Sequence, residues 1–248
     1  MTDRTRQLAG QVALVVGGGG GIGAAIAESF QDEGAHVVVG DLVAGAEPVW
    51  GDGTTPSTVR VDVRSQTSVD TAVAAVLERW GRLDVLVNSA GVLTESPVVS
   101  MTGEVWNHTL DVDLTGVFRC CRAVLPHMVE ARRGRIINIA SQLGIKGARG
   151  MAHYSAAKAG VIGFTKALAL EVAEHGVLVN AIAPGPVETP MVAGISEEWK
   201  ASKQAELPLG RFGTPAEVAP TALLLASDPG GNLYVGQTLG PNSGDVMP

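Results

Sequence analysis

Aromatic side chains make up only 4 % of this 248-residue chain, and cysteine is scarcer still, with two residues adjacent at Cys120 and Cys121. Neighbouring thiols cannot staple distant segments, which excludes a disulfide framework and fits a reducing compartment. No apolar run approaches the roughly 18 residues that a membrane helix needs. The opening stretch, MTDRTRQLAGQ, lacks the apolar region of a secretory leader, so the expected location is cytoplasmic. Basic blocks are missing too: 18 Lys and Arg stand against 25 Asp and Glu, a net charge of −7, and nucleic acid is not an expected partner. His36, His108, His127, His153 and His175 are scattered without ligand spacing, so no metal is expected. Against these absences stand 46 % apolar residues and 32 glycines. That is enough for one large α/β domain with a substantial core, and too apolar for disorder.

Short apolar runs at 12–16, 36–40, 58–63, 85–88, 136–139 and 177–182 read as strands. The run VALVV at 12–16 has the unbroken apolar character of a strand buried on both faces. Helical patterns fall between them, at 24–33, 68–80, 104–130 and 154–174, with Thr67 and Asp70 spaced as a capping box for the second. This alternation predicts a doubly wound parallel sheet of the Rossmann type, in a single domain over 9–248 after a polar arm at 1–8. Residues 43–57 are too rich in Gly, Pro and Thr for a crossover helix. An insertion over 184–211, with a short helix near 196–206, precedes a last helix marked by Thr214, Pro215 and Glu217.

A glycine run, Gly17 to Gly21 with Ile22 and Gly23, joins the first strand to its helix. Such a turn lets backbone approach a pyrophosphate, which free N–H groups at the helix N-terminus then stabilise. The run satisfies both GxGxxG (Gly18, Gly20, Gly23) and GxxxGxG (Gly17, Gly21, Gly23), and by itself it fits a flexible turn equally well. Asp41, followed by Leu42, ends the second strand 18 residues after Gly23. A carboxylate there accepts both hydroxyls of an adenosine ribose and repels a 2′-phosphate. With no Arg or Lys in the glycine turn or just after Asp41, NAD is expected rather than NADP.

Tyr154-Ser-Ala-Ala-Lys158 opens a helix, Ser141 lies 13 residues earlier just after a strand, Asn88-Ser-Ala-Gly91 follows the fourth strand, and Pro184-Gly185 follows the sixth. With the glycine turn, this ordered set resembles the short-chain dehydrogenase/reductase family over essentially the whole chain. Helical spacing places Tyr154 and Lys158 on one face. A free tyrosine, with a pKa of about 10, is a poor base near neutrality, and the Lys158 ammonium is expected to lower that value. Tyr154 then exchanges a proton with a carbinol or carbonyl oxygen, and Ser141 donates a hydrogen bond to the same oxygen. The resemblance implies further roles. Lys158 holds the nicotinamide ribose, Asp62 with Val63 meets the adenine, and Asn88, Ala90 and Gly91 lie beside the adenosine ribose. Pro184, Gly185, Val187 and Thr189 cover the nicotinamide. Asp113 takes the place of the family's catalytic Asn. Val16 and Ser89 depart from the family pattern where a Thr and an Asn are usual, and so does the tail from Leu239 onward.

A lid at about 186–212 supplies apolar Pro186, Val187, Met191, Val192, Ile195, Leu207, Leu209 and Phe212. Gln142, Leu143, Ile145, Met151 and His153 form the facing wall. Of all these, the closest substrate contacts are expected from Gln142, Leu143, His153, Pro186 and Met191. The expected reaction is therefore hydride transfer between NAD(H) and an apolar secondary alcohol or ketone. The alternative within the same fold is a 3-oxoacyl carrier-protein reductase, for which Arg132 and Arg133 could meet an acidic carrier. A non-catalytic NAD-binding protein is a third reading, disfavoured by the intact Ser141, Tyr154 and Lys158. The family's habit of pairing the helices at 104–130 and 154–174 implies a symmetric homotetramer.

Overall fold

A computed structural model describes residues 6–52 and 55–247. Strand β1 (Val12–Val16) is buried along its whole length and lies at the centre of the molecule. It pairs in parallel with β2 (His36–Asp41) on one side and with β4 (Val85–Asn88) on the other. Beyond β2 lies β3 (Ser57–Arg60). Beyond β4 follow β5 (Gly134–Ile139), β6 (Val177–Ile182) and a two-residue β7 (Thr238–Leu239). The seven strands run in the order β3-β2-β1-β4-β5-β6-β7. The direction of winding reverses between β1 and β4, and a crevice opens at their carboxyl ends. The expected doubly wound sheet is thus present.

Helices α1 (Gly21–Asp32) and α2 (Gln66–Trp80) follow β1 and β3. Ser65 caps α2 by accepting from the Ser68 N–H, so the cap lies two residues before the expected Thr67. The long helical pattern at 104–130 divides into α3 (Gly103–Leu110), one π-helical turn (Asp111–Thr115) and α4 (Gly116–Glu130). A short α5 (Leu143–Lys146) follows β5 and precedes α6 (Ala152–Val172). The insertion folds as α7 (Pro190–Ala193) and α8 (Glu197–Glu206). Helix α9 (Pro215–Ala226) begins at the expected box, where the Thr214 N–H donates to Glu217 Oε2 at 2.9 Å.

Two apolar layers sandwich the sheet. One packs β-strand faces against α2, α4 and α6 through Val76, Val124, Met128 and Val161, and the other packs the opposite faces against α1 and α9 through Ile26, Phe30, Val218 and Leu225. Alternate residues of β1 serve alternate layers, Leu14 the first and Val15 the second, as strand geometry requires. Leu8 belongs to the second layer and is fully buried, and its N–H donates to the Glu33 carbonyl at 2.9 Å. The expected loose arm therefore does not extend to residue 8; its residues 1–5 lie outside the described part. No described helix is long and apolar enough to cross a membrane.

Candidate active site

At the crevice between β1 and β4 the glycine turn meets the loop after β4. Gly17 has φ of +77°, and a side chain there would collide with the Ala90 backbone. A Cβ on Gly23 would strike the Gly17 carbonyl, so Gly23 packs the helix onto the turn rather than facing the crevice. Gly20 has open space around it, and the N-terminus of α1 carries neither a side-chain cap nor an acid in its first turn. Free N–H groups at an uncapped helix start, reached over residues without side chains, fit a pyrophosphate.

Asp41 Oδ2 accepts from the Gly19 N–H at 2.9 Å, and Oδ1 from the Val43 N–H at 3.2 Å, so the carboxylate sits beside the turn as expected. The absence of a nearby cation holds along the chain but not in space. Register pairing sets Arg60 opposite Asp41, and its guanidinium donates to the Leu42 carbonyl at 2.6 Å and the Ala44 carbonyl at 3.3 Å. Arg64 lines the crevice as well, gripping Asp62 through Nε and Nη2 at 2.9 and 2.8 Å. That grip holds the Asp62 carboxyl down at about 2, although partial burial works the other way.

One cavity of about 460 Å³ runs from Asp41 and Asp62 past Ala90 and Gly91 to Ser141, Tyr154 and Lys158, and ends under Pro184–Thr189, Met191 and Trp199. Apart from Gly23, Asn88, Asp113 and His153, it brings together all the expected cofactor, catalytic and substrate residues. Asn88 is buried inside the sheet instead, donating to Asn138 Oδ1 at 2.8 Å, and Asn138 donates to Thr165 Oγ1 at 2.9 Å. This chain of amides ties β4 and β5 to α6, which carries Tyr154 and Lys158. His153 is fully buried and shares a hydrogen bond with Thr94 at 2.9 Å, so it does not face the cavity. The expected lid residue Leu209 points to solvent, and Ile145 is also exposed. Leu93, His108 and Trp199 line the cavity without having been expected there. Packing of α3 and α8 against the mouth brings in the last two, and neither carries a local motif.

Ser141 lies two residues beyond the end of β5, and its Oγ accepts from the Leu143 N–H at 3.1 Å. Gly144 lets α5 lie against the α6 backbone; a Cβ there would come within 2.7 Å of Ala159 N. Lys158 is buried and donates to the Ile139 carbonyl at 3.0 Å, with its Nζ 5.5 Å from the Tyr154 ring centre. Its counter-ion is Asp113, in the π-helical turn: Asp113 Oδ2 lies 3.3 Å from Nζ, and Oδ1 accepts from the Val92 N–H at 2.8 Å. Gly91 closes over this pair, and a Cβ there would sit 3.1 Å from Asp113 Oδ2.

Burial pushes the Asp113 carboxyl up, against the pull of Lys158 and the Val92 N–H. Burial is the largest influence on Lys158 and acts to lower it, but the charge and hydrogen bond of Asp113 together with Tyr154 outweigh it, so the ammonium is held charged. Tyr154 lies above the ordinary phenol range. Burial and Asp113 raise it, while Lys158 and a hydrogen bond from Ser141 lower it. Lys158 does pull the phenol down as expected, but burial, the largest influence, and the Asp113 charge outweigh it in the open site; the further pull expected from a positive nicotinamide ring is a property of the bound cofactor. Tyr154 stands ready as a proton donor.

A family model of the short-chain dehydrogenase class, described as enoyl-(acyl carrier protein) reductase, matches residues 17–244. The 3-oxoacyl-(acyl-carrier-protein) reductase FabG of Thermotoga maritima is 41 % identical over 249 residues, covering 97 % of this chain and 100 % of that protein. A 3-oxoacyl-(acyl-carrier-protein) reductase of Synechocystis is 42 % identical over 248 residues, covering 97 % and 98 %. A solved structure titled "Crystal structure of gox2181" superposes with a TM-score of 0.89 at 34 % identity and covers 99 % of both chains.

The buried pair generates a stability prediction. Breaking such a pair from one side costs about 3–5 kcal/mol. In Lys158→Met the buried Asp113 binds a proton more tightly folded than unfolded. The cost is then absent below the unfolded carboxyl pKa of about 4 and grows as pH rises toward the folded value. Denaturant unfolding of Lys158→Met should show a larger stability loss at pH 8 than at pH 5. Adding Asp113→Asn should recover most of it. Equal losses at both pH values without recovery would contradict the ion-pair assignment.

Proposed function

The chain belongs to the short-chain dehydrogenase/reductase family of oxidoreductases, and on that premise we propose that it reduces the 3-keto group of an acyl thioester with NADH. The observation that carries this reading is Tyr154 beside Ser141 and Lys158 at the floor of an apolar cavity continuous with the nucleotide crevice. Two named relatives, alike over nearly the whole chain, support the 3-oxoacyl substrate over a simple secondary alcohol.

The nicotinamide, when bound, supplies the hydride to the carbonyl carbon. Tyr154 and Ser141 hold the carbonyl oxygen, and Tyr154 gives it the phenolic proton as charge develops there. Lys158 stabilises the phenolate left behind and orients the ribose. Asp113, behind Lys158, keeps that ammonium in place rather than touching substrate. Pro184, Gly185, Val187 and Thr189 roof the nicotinamide end, and Ile22 with the glycines holds the phosphates. Leu143, Pro186, Met191 and Trp199 exclude water around the acyl body. The same residues run the oxidation in reverse once Tyr154 is deprotonated.

NADH is preferred to NADPH because Asp41 repels a 2′-phosphate, and Arg60 spends its guanidinium on the Leu42 and Ala44 carbonyls. A second reading, reduction of a small apolar ketone, draws support from the surface where a carrier would dock. There Arg133 is paired with Asp84 and Arg132 donates to the Glu174 carbonyl. The protein is proposed to act in the cytoplasm as a homotetramer, joined through the α4 and α6 faces that carry the exposed Phe118 and Leu170. Light scattering at micromolar concentration should give a tetrameric mass; a monomeric mass contradicts this.

The deciding comparison is kcat/KM for reduction of acetoacetyl thioester, an aryl ketone, a ketose and a free keto acid, with NADH and with NADPH. The expected outcome is a thioester preference of at least about tenfold, with NADH ahead of NADPH by a similar factor. A win for the aryl ketone moves the assignment to the second reading. Equal efficiency with NADPH refutes the role given to Asp41.

A further inference from the structure

Three side chains from distant parts of the chain meet beside the mouth of the cavity. Asp245, in the tail after β7, is 2 % exposed at its side chain. Its Oδ1 accepts from Lys146 Nζ at 2.7 Å, and its Oδ2 pairs with Lys203 Nζ. Lys146 ends α5, the short helix that starts two residues after Ser141 and whose Leu143 lines the cavity. Lys203 is buried, on α8, one helical turn after the cavity-lining Trp199 and on the same face. Glu206 joins the cluster, 3.3 Å from Lys203 and 4.0 Å from Lys146, which leaves two ammonium and two carboxylate groups in balance.

The tail backbone reaches this position by touching two more walls of the site. Gly185 N–H donates to the Pro241 carbonyl at 3.0 Å, and Leu209 N–H donates to the Ser243 carbonyl at 3.3 Å. A Cβ on Gly185 would come within 2.7 Å of Asn242 Cα. Asn242 is itself buried, and its Oδ1 accepts from the Gly244 N–H at 3.0 Å while its Nδ2 donates to the Val246 carbonyl at 2.8 Å. Gly244, at φ of +84°, then turns the chain against Pro208, where a Cβ would lie 2.8 Å from Cγ. This compact turn sets the Asp245 carboxylate between the two lysines.

We propose that Asp245 is a positioning residue: by bridging Lys203 of the lid helix to Lys146 of the helix behind Ser141, it fixes the substrate wall of the cavity against its catalytic floor. Nothing else named on α8 ties it to α5 as tightly. Helix α8 is otherwise polar along most of its length, and among its residues only Lys203 is buried. Without the bridge, the buried Lys203 ammonium faces the half-exposed Lys146 with Glu206 alone to balance the two, and α8 keeps only the packing of Trp199 against the Leu143 cluster to hold it to α5. Burial raises the Asp245 carboxyl, and the two lysines outweigh it, so the group is held ionised below the ordinary carboxylate range.

The test uses the full chain and two readouts. Asp245→Asn should speed amide exchange in α8 by about tenfold or more, while β5 and β6 exchange as before. The kinetic readout rests on the proposed reduction. The KM for acetoacetyl thioester should rise about tenfold with a smaller change in kcat, because a displaced wall misplaces the substrate. NADH binding, followed by its fluorescence, should stay within about twofold. Asp245→Glu should restore most of the protection, and Lys203→Met should reproduce the loss from the lid side. The exchange readout needs no substrate, so failure of the thioester to react would count against the functional reading alone. Unchanged α8 exchange in Asp245→Asn would overturn the proposal, and so would a loss of protection spread equally through the sheet.

Discussion

A buried ammonium is the constraint on which the site depends. Lys158 Nζ is held by one carbonyl and one carboxylate in a space closed by Gly91. Removing such a charge from water costs several kcal/mol, which only close and well-oriented partners offset. Each partner comes from a different part of the sheet or its flanks: Ile139 from the end of β5, and Asp113 from the π-helical turn between α3 and α4. A π-turn inserts an extra residue into the helical path, and at this position it carries the Asp113 side chain inward. The Asn88–Asn138–Thr165 chain then locks α6 to the strands, so that Tyr154 and Lys158 keep their distance from Ser141.

The same arrangement joins the two ends of the cavity. The nucleotide end is made almost entirely by backbone: glycines that let strands and turn close together, and a helix start left uncapped. The reacting end is made by side chains whose charge is balanced inside the protein. Tyr154 is raised by burial and by Asp113, against the pull of Lys158, which favours the phenol over the phenolate in the open site. Asp113 thus sets the charge balance of the reacting end at the very position where the chain departs from the family pattern.

Much of this could be read along the chain. Strand and helix alternation is a local signal, and so are the Tyr154–Lys158 spacing, the glycine turn and the Thr214 box. The positions that escaped it are those decided by pairing over distance. Arg60 reaches the Leu42 and Ala44 carbonyls because parallel register sets it opposite Asp41, 19 residues away in sequence. The family resemblance gives Asn88 a place beside the ribose, yet as the last residue of the buried β4 it turns to Asn138. Leu8 sits in a polar stretch but is the residue that docks it. Trp199 and His108 enter the cavity through the packing of α8 and α3, which no spacing rule predicts. The shortness of β7 and the buried Asp245 follow from a tail whose glycines and Asn242 make a turn instead of extending the strand.

On the proposed reading, Tyr154, set in place by Lys158 and Asp113, delivers the proton in a hydride-transfer reaction. The most direct test compares wild-type protein with Tyr154→Phe, measuring NADH-dependent reduction of acetoacetyl thioester together with NADH affinity by fluorescence. The account predicts that turnover falls by about a thousandfold or more while NADH affinity stays within about threefold. A Tyr154→Phe enzyme that reduces the thioester at a near-normal rate would contradict it.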